Sequence, residues 1–590
     1  MFKLLKKLTL TQWLMILVSI GLIVMQVWLD LELPSYMEKI TQIINDPTKP
    51  ADGITQILIN GGYMMLCALG SLLGAVIVGF IMSRLAASFS ENLRLDIFRK
   101  IDSFSQAEIK DFSTESLITR TTNDVMQVQN YITMGAQLLI KAPILAIWAI
   151  IKIAGKGYEW TLATGVTLAL LMVVILLVMF IVVPKFKQIQ TKMDDLTKAT
   201  RENLTGVRVI RAYNAETYQE EKFRKANRNL TDITLFTSRS MSILMPVMNF
   251  LMSGLGIAIY WIGAVLINNL GLDIVSKANT FGSMVVFSQY AMQVIMAFMM
   301  LVMIFIMLPR SMVSAKRINE VLDKEPSIKN GDLKTIETET KGTIEFRNVS
   351  FKYPSAEEYI LKDINLKVEQ GQTVAFIGST GSGKSTLINL IPRFYDVTEG
   401  EVLFNDIDVR AYQLSDLYDK IGYVSQKAVL FKGSVRDNIN LGLKTKNTPD
   451  DDQVWHSLEI AQGKNFVKEL PEQLDDDISQ SGTNLSGGQK QRISIARAIN
   501  KKPEIFIFDD SFSALDYKTD YELRKALKKE TKNVTSFIVA QRIGTIMEAD
   551  QIIVLDQGKI VGKGKHKDLL KNCEVYKEIA MSQLTEEELS

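Results

Sequence analysis

The chain has 590 residues, of which 47% are hydrophobic and 22% are charged, and its formal net charge is +2. This length exceeds what one ordinary core needs, so it predicts at least two domains. The near-neutral charge argues against a dedicated nucleic-acid surface, and the two cysteines, Cys67 and Cys573, offer neither a disulfide framework nor metal-ligand spacing.

Apolar runs crowd the first half of the chain. A helix needs about 20 apolar residues to cross the hydrocarbon core of a membrane. The basic N-terminus leads into the first run without a small-residue cleavage site, so we expect a retained helix rather than a removed signal peptide. Lys152 in the third run can reach the interface, whereas Lys141 is expected to face a cavity or the inner boundary. The runs predict six spans: Trp13–Leu29, Ile57–Met82, Met134–Ile153, Trp160–Val183, Ile243–Ile267 and Phe281–Leu308.

Lysine and arginine cluster at the N-terminus and in the two long connections, which follow the second and fourth spans. The positive-inside rule therefore predicts that both termini and both long connections are cytosolic. These connections are polar with helical spacing, so we expect the spans to continue ~30 Å or more beyond the membrane as helices. Two separate soluble inserts are the alternative, which their low apolar content disfavours.

A charged stretch from Asp323 to Lys341, which contains Pro326 and Gly331, is typical of a linker. It predicts a transmembrane domain over residues 1–322 and a second domain over residues 342–590.

The second domain begins with two predicted strands, Thr343–Val349 and Thr373–Ile377. The latter leads into a glycine-rich loop, and an apolar helix is expected from Leu387; this strand–loop–helix context is what a Walker A motif requires. The glycines let backbone N–H groups converge on phosphates, while Lys384 would reach the β- and γ-phosphates and Ser385 would hold Mg²⁺. The predicted phosphate-binding residues are Gly378, Ser379, Thr380, Gly381, Ser382, Gly383, Lys384, Ser385 and Thr386.

Two further motifs follow the Walker A loop. The apolar run Ile505–Asp509 predicts a buried strand that ends in an acid, the Walker B pattern, in which Asp509 holds Mg²⁺ directly or through water. Between the Walker motifs, the segment Leu485–Gln489 reads Leu-Ser-Gly-Gly-Gln and opens a helix.

With these motifs in this order, the chain resembles a half-transporter of the ATP-binding cassette (ABC) exporter family, of the multidrug type. The resemblance implies an all-α six-helix transmembrane domain followed by an α/β P-loop nucleotide-binding domain. It implies ATP and Mg²⁺ as ligands, and a lipid bilayer and a second half-transporter as partners. The nucleotide domains of the family pair head to tail, so that Ser486, Gly487, Gly488 and Gln489 would form an anion cradle for the partner's ATP.

The same resemblance assigns roles to other positions. Tyr353 would stack on adenine, and Gln426 would touch Mg²⁺ and the attacking water. The loop Ser513–Asp516, with Asp516, would couple the two ATP sites. The segments Thr114–Asp124 and Gly206–Tyr213 resemble the first and second coupling helices, the second docking onto the partner's nucleotide domain.

Two positions depart from the family pattern. Asp510 stands where hydrolytic members carry Glu; its carboxylate falls back by roughly 1 Å, a misplacement that can cost ~10²-fold in rate. Gln541 stands where they carry His, and it cannot carry a positive charge or shuttle a proton. With Gln426, these residues form the predicted catalytic set. They predict a site that binds ATP but hydrolyses it slowly or not at all, and a heterodimer whose other chain supplies the Glu and the His.

The sixth predicted span is rich in methionine, which favours amphipathic cargo, although ordinary packing would also explain it. No acidic residue lies deep in a predicted span, so no site for a cationic substrate is indicated. A homodimeric lipid or peptide exporter stays open, with peptides disfavoured because no peptidase domain precedes the first span. A nucleotide-gated channel also stays open, whereas soluble cassette proteins are excluded by the spans. The short loops suggest a bacterial plasma membrane.

Overall fold

The computed structural model describes residues 2–45, 52–271, 273–333, 341–354, 356–443, 450–530 and 533–585. The chain divides into two compact units. The first comprises Met1–Asp102 and Glu115–Lys324, and the second comprises Ser103–Thr114 and Glu325–Ser590. Residues 334–340 of the predicted linker lie outside the described residues.

The described part of the first unit is built from helices. In chain order they are α1 (Phe2–Leu5), α2 (Leu10–Asn45), α3 (Gly53–Asp102), then, after α4 (Gln106–Phe112) of the second unit, α5 (Thr114–Thr119), α6 (Val125–Asn130), α7 (Ala136–Ile153), α8 (Tyr158–Ala212), α9 (Glu216–Ser242), α10 (Leu244–Asn269) and α11 (Ile274–Asp323). Two π-helical turns, Arg120–Asp124 and Tyr131–Gly135, link α5, α6 and α7 into one rod.

Six helical segments among the described residues are long and apolar enough to cross a membrane: Leu10–Ile44, Gly53–Asp102, Thr114–Ile153, Tyr158–Ala212, Glu216–Asn269 and Ile274–Asp323. The prediction of six spans is confirmed. The long connections are also helical, because α3 and α8 run on past the predicted spans and α9 returns to the next one.

Carboxylates of α2 neutralise the lysines at and after α7. The ion pairs are Asp30–Lys141, Glu32–Lys152 and Glu38–Lys156, with N–O distances of 3.4, 2.8 and 2.6 Å. Each side chain is less than a third exposed. Asp30 also accepts a hydrogen bond from the Ser71 hydroxyl at 2.5 Å, and its backbone oxygen accepts one from Gln293 at 3.2 Å. Lys141 is thus held by a carboxylate just past the predicted end of the first span.

The described residues of the second unit form two main sheets and one small ribbon. Its strands are β1 (Ile344–Phe351), β2 (Leu361–Val368), β3 (Thr373–Gly378), β4 (Glu399–Phe404), β5 (Ile407–Asp408), β6 (Ile421–Val424), β7 (Gly433–Ser434), β8 (Asp477–Ile478), β9 (Ile505–Asp509), β10 (Thr535–Val539), β11 (Gln551–Asp556) and β12 (Lys559–Gly564). The larger sheet has the order β12-β11-β3-β10-β9-β6, and β2-β1-β4-β5 form an antiparallel sheet.

Within the larger sheet, β11, β3, β10, β9 and β6 pair in parallel and β12 is antiparallel. Alternate residues of β3 enter two different apolar clusters: Ala375 and Ile377 join one, and Val374 and Phe376 the other. This alternation follows from the two-residue period of a strand, so the sheet is buried on both faces, as parallel sheets are.

Helices cover this sheet. They are α12 (Lys384–Leu390), α13 (Leu414–Asp419), α14 (Val435–Ile439), α15 (Asp451–Ile460), α16 (Lys464–Lys468), α17 (Gly487–Asn500), α18 (Tyr517–Glu530), α19 (Ile543–Ile546), α20 (His566–Asn572) and α21 (Glu574–Met581). The helix expected from Leu387 begins three residues earlier, because Gly383 already caps it.

Candidate nucleotide-binding site

Four predicted site segments follow neighbouring parallel strands. The glycine-rich loop follows β3, Gln541 follows β10, Asp510 follows β9 and Gln426 follows β6. Because parallel strands end at the same sheet edge, their loops meet there, as ligand sites in such sheets do. A cleft of about 530 Å³ opens at this edge, lined by Ile360, Ile377, Gly378, Ser379, Thr380, Gly381, Gly383, Lys384, Ser385, Thr386, Gln426, Asp510, Val539, Gln541, Ile579 and Gln583.

The Walker A loop holds its lysine close to the backbone. The Lys384 ammonium donates to the carbonyl oxygens of Gly378 and Ser379 at 2.9 and 2.8 Å. Burial lowers the pKa of Lys384, against the opposite effect of the nearby carboxylates. Gly383 has φ 98°, and a Cβ there would lie 2.7 Å from the Leu361 side chain. Glycine is therefore needed at this helix start. A phosphate in the cleft would contact the partly desolvated ammonium of Lys384.

The predicted magnesium ligands Ser385 and Asp509 lie together. The Ser385 hydroxyl donates to the Asp509 carboxylate at 2.7 Å. Asp509 is 7% exposed, and burial, to which the neighbouring Asp510 charge adds, raises its pKa against the effect of the Ser385 hydrogen bond. A hydroxyl next to a carboxylate fits Mg²⁺, which prefers oxygen ligands and takes the remainder from water and phosphate.

Asp510 lies between the two glutamines of the predicted catalytic set. Its Oδ2 accepts from the side-chain amide of Gln426 at 3.1 Å and from that of Gln541 at 2.8 Å. Its backbone has φ 48°, and its N–H donates to Val539 O at 3.0 Å. Aspartate tolerates this left-handed conformation better than most residues. The two departures from the family pattern are therefore in direct contact.

Tyr353 lies beside the Walker A helix. Its hydroxyl is 3.1 Å from the Thr386 hydroxyl, and its ring is half-buried. The predicted adenine platform and the predicted phosphate loop are thus linked by a hydrogen bond within the second unit.

The signature residues are not part of this cleft. Ser486 caps α17: its hydroxyl accepts from the backbone N–H of Gln489, and its own N–H donates to the Gln489 side chain at 2.8 Å. Ser486 and Gly487 are exposed, and Gly488 lies next to them. The signature residues therefore present a helix start to the surface of the chain.

Asp516 is also exposed. Its carboxylate accepts from the backbone N–H and the hydroxyl of Thr519 at 3.0 and 2.7 Å, and these hydrogen bonds lower its pKa. The loop Ser513–Asp516 is anchored at its start as well, because the Ser513 hydroxyl donates to Asp510 O at 2.8 Å. The first residue of the predicted site-coupling loop is thus hydrogen-bonded to Asp510.

The segment of the membrane half that joins the second unit is not the predicted one. Ser103–Thr114 belongs to the second unit, whereas the first unit resumes at Glu115. The first coupling helix is predicted at Thr114–Asp124, but the segment that packs within the second unit is Ser103–Thr114, which lies earlier in the chain. The physical reason is visible at Glu108, which is 3% exposed and accepts from the backbone N–H of Ser327 at 3.2 Å. The docking of Gly206–Tyr213 onto a partner stays a prediction.

Gln583 lines the cleft but is not among the site residues predicted from the sequence. Its side-chain amide donates to Gln541 O at 2.8 Å, and its side-chain oxygen accepts from the backbone N–H of Ile543 at 2.8 Å. Gln583 follows α21, far along the chain from every motif. A glutamine after a short helix carries no signal of this role, so only the folded structure reveals it.

The chain is similar to known protein families and to individual proteins. The family described as ABC transporter transmembrane region matches residues 16–298, and the family described as ABC transporter matches residues 361–513. An ABC transporter ATP-binding protein of Mycobacterium tuberculosis is 37% identical over 549 residues, which make up 92% of each chain. The chain belongs to the ABC transporter family.

Other relatives of this ABC half-transporter come from further bacteria. An ABC transporter ATP-binding protein of Bacillus subtilis is 34% identical over 97% of each chain. An ATP-dependent lipid A-core flippase of Pseudomonas fluorescens is 32% identical over 85% of this chain and 82% of its own.

The structure of a bacterial Atm1-family ABC exporter with ATP bound matches with a TM-score of 0.78 at 21% identity, and covers 96% of this chain and 98% of that one. The half-transporter therefore has the ABC exporter fold: six apolar helices followed by a nucleotide-binding domain. Its fold class is the predicted one. Members of this class are transport ATPases that work as dimers in a membrane.

Proposed function

We propose that this half-transporter exports amphipathic or hydrophobic compounds of the multidrug type across the plasma membrane, as one subunit of a heterodimer. Residues 1–322 form its transmembrane domain and residues 342–590 its nucleotide-binding domain, with both termini in the cytosol. Its own Walker site binds ATP and hydrolyses it slowly, while its signature helix serves the partner's site. The observation that carries this proposal is the contact of Asp510 with Gln426 and Gln541.

Residues in the cleft and beside it have roles in this proposal. Lys384 and the loop N–H groups bind the β- and γ-phosphates, and Tyr353 stacks on the base. Ser385 and Asp509 hold Mg²⁺, which when bound neutralises charge on the phosphates. The predicted contact of Gln426 with Mg²⁺ would use its side-chain oxygen, since its side-chain nitrogen donates to Asp510.

Slow hydrolysis follows from the surroundings of Asp510. A general base must reach the water whose proton it takes, and the Asp510 carboxylate is one methylene shorter than glutamate. Its Oδ2 already accepts two amide hydrogen bonds. Gln541 is a neutral amide and cannot take up the proton instead.

The signature helix supports the other half of the proposal. Ser486 and Gly487 are exposed at the start of α17 and are not among the residues that line their own chain's cleft. In a head-to-tail pair, they close on the partner's ATP, where a glutamate and a histidine of the partner complete a competent site. ATP binding then turns the transmembrane domains outward by alternating access, and hydrolysis at the partner's site resets them.

The cargo assignment rests on α11. Met296 and Met303 expose 49% and 59% of their surface, and methionine adapts to varied apolar molecules. A lipid is the second candidate cargo, in a homodimeric exporter, because a relative at 32% identity is named a lipid A-core flippase.

The experiment compares ATPase activity of the purified chain with that of the chain co-expressed with the half-transporter that co-purifies with it. The single chain should retain ATP and turn over slowly, and the pair should hydrolyse ATP vigorously. Vigorous turnover by the single chain would rule out the impaired site and the heterodimer together. Uptake of an amphipathic dye, against a labelled lipid, into vesicles that contain the pair separates the two cargo classes.

A further inference from the structure

The segment Ser103–Thr114 is anchored within the nucleotide-binding unit. Ser105 caps α4, and the Glu108 carboxylate accepts from the backbone N–H of Ser105 at 2.8 Å and from that of Ser327 at 3.2 Å. Ala107 packs against the apolar cluster of the antiparallel sheet, against which Tyr353 packs as well. The short helix α4 is therefore held at a defined place beside Tyr353.

Lys110 on this helix extends over the predicted adenine platform. Its ammonium lies 5.0 Å from the centroid of the Tyr353 ring and 6.0 Å from that of Tyr395. Both distances are within the range of a cation–π interaction. Lys110 is exposed, so the contact is made at the edge of water.

The Tyr353 ring is held on its other sides. Phe351 and Tyr395 each pack against it edge to face, with ring centroids 5.1 Å apart. Its hydroxyl is within hydrogen-bond distance of Thr386 on the Walker A helix. One aromatic ring thus joins α4, the antiparallel sheet and the phosphate loop.

We propose that Lys110 is a positioning residue for the base of ATP. Its ammonium covers one face of Tyr353 and holds the ring in the orientation in which the other face stacks on adenine. This rests on the proposed function, in which the cleft binds ATP and Tyr353 is its base platform. A base stacked on Tyr353 then changes the surroundings of α4, which follows α3 of the first unit in the chain.

A cation–π contact at an exposed site shifts the equilibrium that it stabilises by about 2–5-fold, which here is the population of the Tyr353 orientation that can stack on the base. Lys110→Met should therefore weaken Mg²⁺-ATP binding to the purified full-length chain by about 2–5-fold. Binding of Mg²⁺-tripolyphosphate, which has no base, should not change. Lys110→Arg should retain wild-type ATP affinity, because a guanidinium also stacks on aromatic rings.

The chain offers a matched control. The exposed Lys39 ammonium lies 5.1 Å from the centroid of the Tyr36 ring, a similar pair in the first unit and away from the predicted platform. Lys39→Met should leave both affinities unchanged. A purely structural role of Lys110 predicts instead that both ligands weaken together.

Unchanged or tighter ATP binding by Lys110→Met, or an equal loss for ATP and tripolyphosphate, would overturn the inference. These outcomes leave ATP binding by the wild type intact, so the proposed function survives them. Failure of the wild-type chain to bind either ligand would remove the proposed function, and the inference with it.

Discussion

At the scale of single residues, Asp510 and Gln541 depend on each other. Gln541 donates its amide to Asp510 at 2.8 Å, and a carboxylate is a good acceptor for it. A histidine at position 541 could bind the γ-phosphate instead of Asp510. A glutamate at position 510 would extend further into the cleft. The pair is therefore best changed together.

The double variant Asp510→Glu with Gln541→His should raise ATP hydrolysis by the chain alone by about 10²-fold, the factor associated with correct placement of a reacting group. The signature sequence of this chain is intact, so two copies of the variant can complete each other's sites. Steady-state ATPase activity in detergent, measured beside the wild type, tests this.

Each single variant serves as the control for the double one. Either change alone should give a smaller gain, because the other departure remains. If the double variant binds ATP and forms dimers yet hydrolyses no faster than the wild type, the slow step lies outside these two positions.

The residue identities of the site were predictable because phosphate chemistry demands fixed patterns. A glycine-rich loop with Lys384 and an acid at the end of a buried strand leave few other interpretations. The hydrogen bonds of Asp510 to both glutamines were not predictable, since they depend on side-chain geometry. Gln583 was not predictable at all, because the backbone groups it binds belong to residues far away in the sequence.

At the scale of elements, α2 and α7 are joined by charge rather than by apolar contact alone. Hydropathy marked the end of the first span at Leu29, but α2 continues through Pro34 to Asn45. A helix keeps its backbone hydrogen bonds in water as well as in lipid, so hydropathy finds the apolar part of a helix and not its end. The partners of Lys141 and Lys152 lie in that unpredicted extension.

Removal of one carboxylate should therefore destabilise the membrane unit. Glu32→Gln leaves Lys152 half-buried without its partner, which should cost roughly 1–2 kcal/mol, between the values for exposed and buried pairs. Exchange of the charges, Glu32→Lys with Lys152→Glu, should restore most of the loss. Thermal unfolding in detergent measures both.

An exposed pair on α9 is the control. Glu220 and Arg224 are 67% and 65% exposed, so Glu220→Gln should leave the melting temperature almost unchanged. Equal shifts for Glu32→Gln and Glu220→Gln would mean that the α2–α7 pairs add nothing beyond ordinary surface charge.

At the scale of the whole molecule, the predicted phosphate-binding groups lie on two different surfaces of the chain. The Walker residues line the cleft, while Ser486 and Gly487 face outward at the start of α17. In the proposed heterodimer, each set serves a different ATP.

Changes to the two surfaces should therefore have unequal effects on the co-expressed pair. Ser486→Arg in this chain should lower ATPase activity by about 10²-fold, because a contact to the transferring phosphate is lost. Lys384→Ala in this chain should leave most of the activity, since the proposed heterodimer hydrolyses ATP at the partner's Walker site. Each variant pair is assayed for turnover after its subunit ratio has been verified. The reverse order of the two effects would place hydrolysis in this chain's own cleft.

The arrangement of the cleft also determines the stage of folding at which the cleft forms. Its walls are contributed by stretches from Ile360 to Gln583, which meet only after the parallel strands have paired. Such distant pairings form late, since the chain must close long loops first. A newly synthesised chain therefore becomes able to bind nucleotide only late in folding. Retention of nucleotide then indicates that the domain has folded completely.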